Sequence, residues 1–130
     1  MKRLLTALLL WMTASLPAMT LAEPADPLLI GLNYPRTGHY KEEGLAQMRG
    51  ALLAINEINA KGGLLGRPLM LIDRDSASRP EKARTNIDNM VAEGAVMLMG
   101  SVSSAEAIAA GEQARQHNRL YFATIGYSDD

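Results

Sequence analysis

The stretch Ala95-Val96-Met97-Leu98-Met99-Gly100-Ser101-Val102-Ser103-Ser104-Ala105-Glu106 decides the fold. Ala95 to Met99 is an unbroken apolar run, which suits a strand covered on both faces. Ser103-Ser104-Ala105-Glu106 reads as a capping box that opens a helix. That helix buries Ala105, Ile108, Ala109 and Ala114, residues small enough to let it pack close to a sheet. A buried strand running straight into a helix is the repeating unit of a parallel α/β domain. Between strand and helix, Gly100 permits close approach of a ligand to the backbone. The free N–H groups and dipole of the helix start favour an anion, a carboxylate or a phosphate. The alternative is that Ser103 caps the helix and Ser101 faces water, the commoner use of such serines.

Working outward, the same alternation recurs. Leu28 to Leu32 reads as a strand and Asn33 to Glu43 as a loop containing Pro35 and Gly38. From Gly44 to Lys61, Leu45, Met48, Leu52, Ile55 and Ile58 mark one helix face. Gln47, Arg49, Asn56, Glu57 and Asn59 fill the other, and Gly62 stands where a C-cap wants a left-handed residue. Leu69 to Ile72 is a second strand, ending at Asp73-Arg74-Asp75. Ser78-Arg79-Pro80-Glu81 reads as a second capping box, and its helix buries Ala83, Ile87, Met90 and Val91. Leu120 to Ala123 is a fourth strand. The order predicts an α/β fold: an open, doubly wound parallel sheet with right-handed crossovers and helices on both faces. Ligands of such sheets sit outside the carboxyl ends of the strands. Asn33–Glu43, Gly100–Ala105 and Thr124–Ser128 occupy that edge.

Composition narrows the chemistry. A chain of 130 residues allows one ordinary domain, and 48% apolar against 21% charged residues is globular. A net charge of −1 removes the electrostatic argument for a nucleic-acid partner, and 5% aromatic residues are too few for base stacking. Without cysteine there are no disulfides, thiolate nucleophiles or lipoprotein anchors. Asp73 and Asp75 read as solvated carboxylates, and His39 and His117 stand alone, so no metal site is expected. Gly62-Gly63-Leu64-Leu65-Gly66 lacks the dinucleotide spacing and follows a helix. There is no phosphate-binding loop and no nucleophile elbow. Catalytic residues, cofactors and enzymatic activity are therefore not expected. Met1-Lys2-Arg3, the apolar run from Leu4 to Met12 and the small residues up to Ala22 have the order of a secretory leader. Residues 1–22 are read as a signal peptide cut after Ala22, with a cut after Ala18 and an uncleaved anchor as the alternatives. The mature product is then periplasmic, and losing Lys2 and Arg3 takes the net charge to −3.

One set of residues is familiar as a set. Ile30-Gly31-Leu32 precedes a loop containing Thr37-Gly38. Glu57-Ile58-Asn59-Ala60-Lys61-Gly62-Gly63 is followed by Gly66-Arg67-Pro68-Leu69, then Asp73-Arg74-Asp75 and the Gly100–Ser104 loop. Together they resemble the N-terminal lobe of type I periplasmic solute-binding proteins, in the leucine/isoleucine/valine-binding family of ABC importers. The resemblance implies two α/β lobes closing on an amino acid or amide-like solute, an ABC permease in the inner membrane as partner, and a monomer at full length. It implies that Ser104, beside Ser103, holds the ligand carboxylate through its hydroxyl and backbone N–H. It further implies that the Gly126 carbonyl takes the ammonium, that Ser128 contacts the amino-acid head, and that Tyr40 forms an aromatic wall. Residues 23–130 then correspond to an incomplete N-terminal lobe, without the second lobe and hinge. The expectation is weak or absent leucine binding by these 130 residues alone. A ligand-sensing ectodomain of a receptor or sensor kinase on the same fold is the alternative function.

Overall fold

The computed structural model describes residues 25–126. The leader and Ser128 lie outside them. Four strands and three helices alternate: β1 Leu28–Tyr34, α1 Lys41–Ala60, β2 Leu69–Asp75, α2 Pro80–Ala92, β3 Met97–Gly100, α3 Ser104–Gln116 and β4 Leu120–Ala123. The sheet is parallel throughout, in the order β2-β1-β3-β4. This is the expected open doubly wound arrangement, with its switch point between β1 and β3.

The pleat sorts the core. Ile30, Leu32 and Tyr34 face α1, where they meet Ile55 and Ala51 together with Leu71, Met97 and Met99 of the flanking strands. On the opposite face Leu98, Ile87 and Met90 pack with Ala83, Ala95, Ala110 and Ala114, all fully buried. Alanines at those α3 positions let the helix lie close to both α2 and the sheet.

The structure departs from the sequence reading where polar groups find distant partners. β1 continues through Asn33 and Tyr34, which were expected in a loop. Asn33 pairs with Gly100 and Tyr34 with Asp75, and the buried Asn33 Oδ1 accepts from Asn86 Nδ2 at 2.8 Å. Accordingly α1 begins at Lys41 and not at Gly44. Its buried face is Gly44, Ala51 and Ile55, while Leu52 and Ile58 are exposed. Asn59, expected on the polar outer face, gives its Nδ2 to the Leu69 carbonyl at 2.9 Å and accepts from the Leu69 N–H at 2.7 Å. It thus ties the end of α1 to the start of β2.

Only one of the two expected capping boxes forms. Ser103 caps α3, but the residue before α2 is Arg79, without a side-chain cap. Ser78 has a left-handed φ of 56°, and its hydroxyl accepts from the Tyr40 N–H at 3.0 Å instead. In α3, Ala105 is exposed and Glu106 is fully buried, because the capping contact turns Glu106 inward.

Candidate functional site

At the switch point, the chain leaves β1 for α1 on one face and β3 for α3 on the other. The crevice between the two departures lies at the carboxyl edge of the sheet, where the sequence places the candidate residues.

The β3–α3 loop is tightly held. Gly100 has φ +130°, and a Cβ there would stand 2.1 Å from the Asn33 carbonyl oxygen. The close approach this glycine allows is to the protein's own backbone and not to a ligand. Ser101 does not face water. It is fully buried at φ 62°, its N–H donates to the Asn33 carbonyl at 2.8 Å, and its hydroxyl lies 2.6 Å from the Tyr121 hydroxyl. Burial pushes the Tyr121 phenol well above its ordinary value, against the Ser101 bond that lowers it.

Ser103 accepts from the Glu106 N–H at 3.3 Å and donates to Glu106 Oε2 at 3.1 Å. Its proton is committed to the cap, so Ser103 serves α3 while Ser104 occupies the first helical position. Ser104 lines an open groove with Ala107, Ile108, Ala123 and Gly126. Gly126 lines the same groove, which continues along α3 past Gly111, Glu112 and Arg115 beside the β4 edge. Tyr40 belongs to a different cluster: it precedes α1, meets the His39 ring edge-on at 4.7 Å, and is bonded to Ser78 on the β2–α2 loop.

That cluster centres on Asp75, which is not a solvated carboxylate. It accepts from the Arg36 and Thr37 N–H groups at 2.9 and 3.1 Å, the Thr37 hydroxyl at 2.7 Å, the Ala77 N–H at 2.8 Å and Lys82 Nζ at 3.3 Å. Burial works against ionisation, but these donors outweigh it and hold the carboxyl well below the usual carboxylate range. Tyr34, beneath, is raised by burial and by the nearby Asp73 charge. Among the described residues no three His, Asp or Glu side chains are grouped to hold a metal ion.

Sequence reasoning missed Gln47. It lies on α1, yet its Nε2 donates to the Ser101 carbonyl at 2.7 Å and to the Thr124 hydroxyl at 2.6 Å. Thr124 Oγ1 in turn donates to the Gly100 carbonyl at 3.2 Å. The helical period assigned Gln47 to the outer face.

Ser104 and Gly126 thus lie on segments leaving the carboxyl edge of an open doubly wound sheet, the edge where such folds hold ligands. The sequence pattern of the periplasmic binding protein family matches residues 27–130. The chain belongs to that family, in its type I leucine/isoleucine/valine-binding branch. It is 37% identical over 97 residues to the Leu/Ile/Val-binding protein BraC3 of Rhizobium johnstonii, covering 75% of this chain and 26% of that protein. It is 36% identical over 80 residues to a leucine-, isoleucine-, valine-, threonine- and alanine-binding protein of Pseudomonas aeruginosa, covering 62% and 21%. Among solved structures, the branched-chain amino acid transporter substrate-binding protein LivJ of Streptococcus pneumoniae, in complex with isoleucine, superposes with a TM-score of 0.77 at 28% identity. That match covers 79% of this chain and 30% of LivJ. The chain thus spans roughly a quarter of the length of the curated relatives it matches.

Proposed function

We propose that the protein is the extracytoplasmic solute-binding component of an ABC importer, taking an amino acid or a related small polar solute without chemical conversion. The observation that carries this reading is that Ser104 and Gly126 share one groove, which starts at the carboxyl edge of the sheet and continues along α3. Ser104, at the first turn of α3, offers a backbone N–H and a hydroxyl where the helix dipole favours a carboxylate. The Gly126 carbonyl supplies an acceptor for the ammonium beside it. Ser104, with Ser103 beside it, is the proposed carboxylate contact because it stands at the start of α3 on the groove. Tyr40 and Ser128 complete the proposed set, Tyr40 as a wall on the α1 side and Ser128 at the amino-acid head. The names of the relatives favour a branched-chain amino acid as the solute. The proposal includes residues 1–22 as a leader removed on export to the periplasm, residues 23–130 as N-terminal lobe, a permease as the partner, and a monomeric binder at full length.

The test is calorimetric titration of leucine, isoleucine and valine into the protein expressed from its complete reading frame and recovered from an osmotic-shock fraction. Micromolar binding is expected, weakened at least about tenfold in Ser104→Ala by loss of a charge-assisted hydrogen bond. The intact mass is expected to begin at Glu23. Failure of every amino acid and amide to bind would overturn the reading.

A further inference from the structure

We infer that Gln47 is the positioning residue that sets the spacing between the two halves of the proposed ligand-head site. The inference rests on the reading of Ser104 and Gly126 given above. The β3–α3 loop leads to Ser104, and the segment after β4 leads to Gly126. The two segments meet directly where the Thr124 N–H and hydroxyl donate to the Gly100 carbonyl at 3.1 and 3.2 Å, and the Gln47 side chain adds a further tie from a third element. One amide nitrogen donates to Ser101, three residues before Ser104, and to Thr124, two residues before Gly126.

The amide orientation follows from its partners. The Ser101 carbonyl can only accept, and the Thr124 hydroxyl already spends its proton on the Gly100 carbonyl. Both therefore require a donor, which fixes Nε2 toward them. Gln47 Oε1 is left buried with no partner among the described residues. A buried amide with one end unpaired is costly. That cost is tolerated at a place where the loop is already held against its preferences, with Ser101 left-handed at φ 62°. Strained backbone persists only where its surroundings over-determine it. The Gln47 contact, the Ser101–Tyr121 contact and the Asn33 carbonyl supply that determination.

The consequence is a coupling between carboxylate and ammonium recognition. A ligand carrying both groups profits from correct spacing. A ligand carrying only the carboxylate does not.

The experiment compares leucine with isocaproate, which is leucine without its amino group, in the full-length protein. Gln47→Met keeps the length of the side chain and removes both donated bonds. Gln47→Glu is the second variant, placing a carboxylate oxygen opposite the Ser101 carbonyl. The expected result is that leucine weakens about tenfold while isocaproate changes less than about twofold, since two hydrogen bonds govern the spacing and not the carboxylate contact itself. A purely structural role would weaken both ligands alike, and that outcome overturns the inference. Hydrogen exchange without ligand gives the second readout. Amides of Ser101–Ser104 and Ile125–Gly126 are expected to exchange faster in both variants, with β1 and α2 unchanged. Unaltered exchange there overturns the clamp. Should the parent protein bind neither ligand, the solute-binding reading fails, and the exchange measurement still decides whether Gln47 holds the two segments.

Discussion

The Asp75 carboxylate joins three segments, because its donors come from the β1–α1 loop, the β2–α2 loop and α2. With a side chain only 12% exposed, its loss leaves several N–H groups without an acceptor. Asp75→Ala is expected to cost about 2 kcal/mol in urea unfolding near neutral pH, typical of hydrogen bonds to a charged group. Its native carboxyl is depressed below 3.8, so its contribution is complete above the unfolded value and is lost as pH falls through the native one. The gap between parent and Asp75→Ala is therefore expected to narrow from about pH 5 downward; a gap independent of pH would show that the bonds do not need the charge. This hub was invisible in the sequence because its partners in the β1–α1 loop lie 38 and 39 residues away. Ser103 was legible because its partner, Glu106, is three residues along the same chain. Gln47 follows the rule of Asp75: its contacts cross 54 and 77 residues.

Among the elements, α1 carries the sharpest contrast. It holds two glycines, and helix propensity alone favours alanine at each by about 1 kcal/mol. At Gly50 a Cβ meets nothing within 4 Å, so Gly50→Ala is expected to raise stability by about 1 kcal/mol. At Gly44 a Cβ would stand 2.0 Å from the Pro35 carbonyl oxygen. Backbone cannot swing aside as a side-chain tip does, and overpacking of about 3 kcal/mol outweighs the propensity gain. Gly44→Ala is therefore expected to lose stability and to shift the β1–α1 loop; equal thermal midpoints for the two variants would contradict this close docking. The number, order and type of elements were legible because apolar periodicity and local caps are short-range signals. The face of α1 was not. Leu52 and Ile58 satisfy the helical period, yet the buried face is Gly44, Ala51 and Ile55, with Gly44 set against the Pro35 backbone where no side chain fits. The segment Asn59 to Leu69, which carries much of the family likeness, turns out to be a joint: Asn59 holds Leu69, and Arg67 Nε donates to the Asp26 carbonyl at 2.8 Å. Its residue types serve the chain's path from α1 to β2 and say nothing of the ligand.

At the scale of the whole molecule the two faces of the sheet are sealed unequally. Seven residues of the α2–α3 face, from Ala83 to Ala114, are 0% exposed, whereas on the α1 face Leu32 and Tyr34 retain 1–2% and Ile30, Ile55, Leu69 and Ala51 retain 6–9%. α2 and α3 also pack on each other and are bridged by Arg84–Glu112, Gln113–Asp88 and His117–Asp88. Such exposed pairs add little energy singly, but the shared core makes the two helices open as one unit. Among the described residues α1 packs on β1 and β2, with no helix against it as α2 has α3, and leaves Leu52, Leu53 and Ile58 exposed. Truncation should register this difference: Ile87→Ala is expected to cost about 4 kcal/mol and Ile55→Ala about 2, since the first leaves a closed cavity and the second a site that water already borders. Native-state hydrogen exchange should rank the elements in the same order, with α1 amides exchanging through a lower-energy opening than those of α2, α3 and β1. α1 carries Gln47 and follows Tyr40, so that opening would release the β3–α3 loop and Tyr40 together while the first turn of α3 stays formed. Equal protection across the three helices would mean that the polar contacts of Asn59, Gln47 and Asp75 compensate for the leaner packing of α1, and that both faces unfold as one.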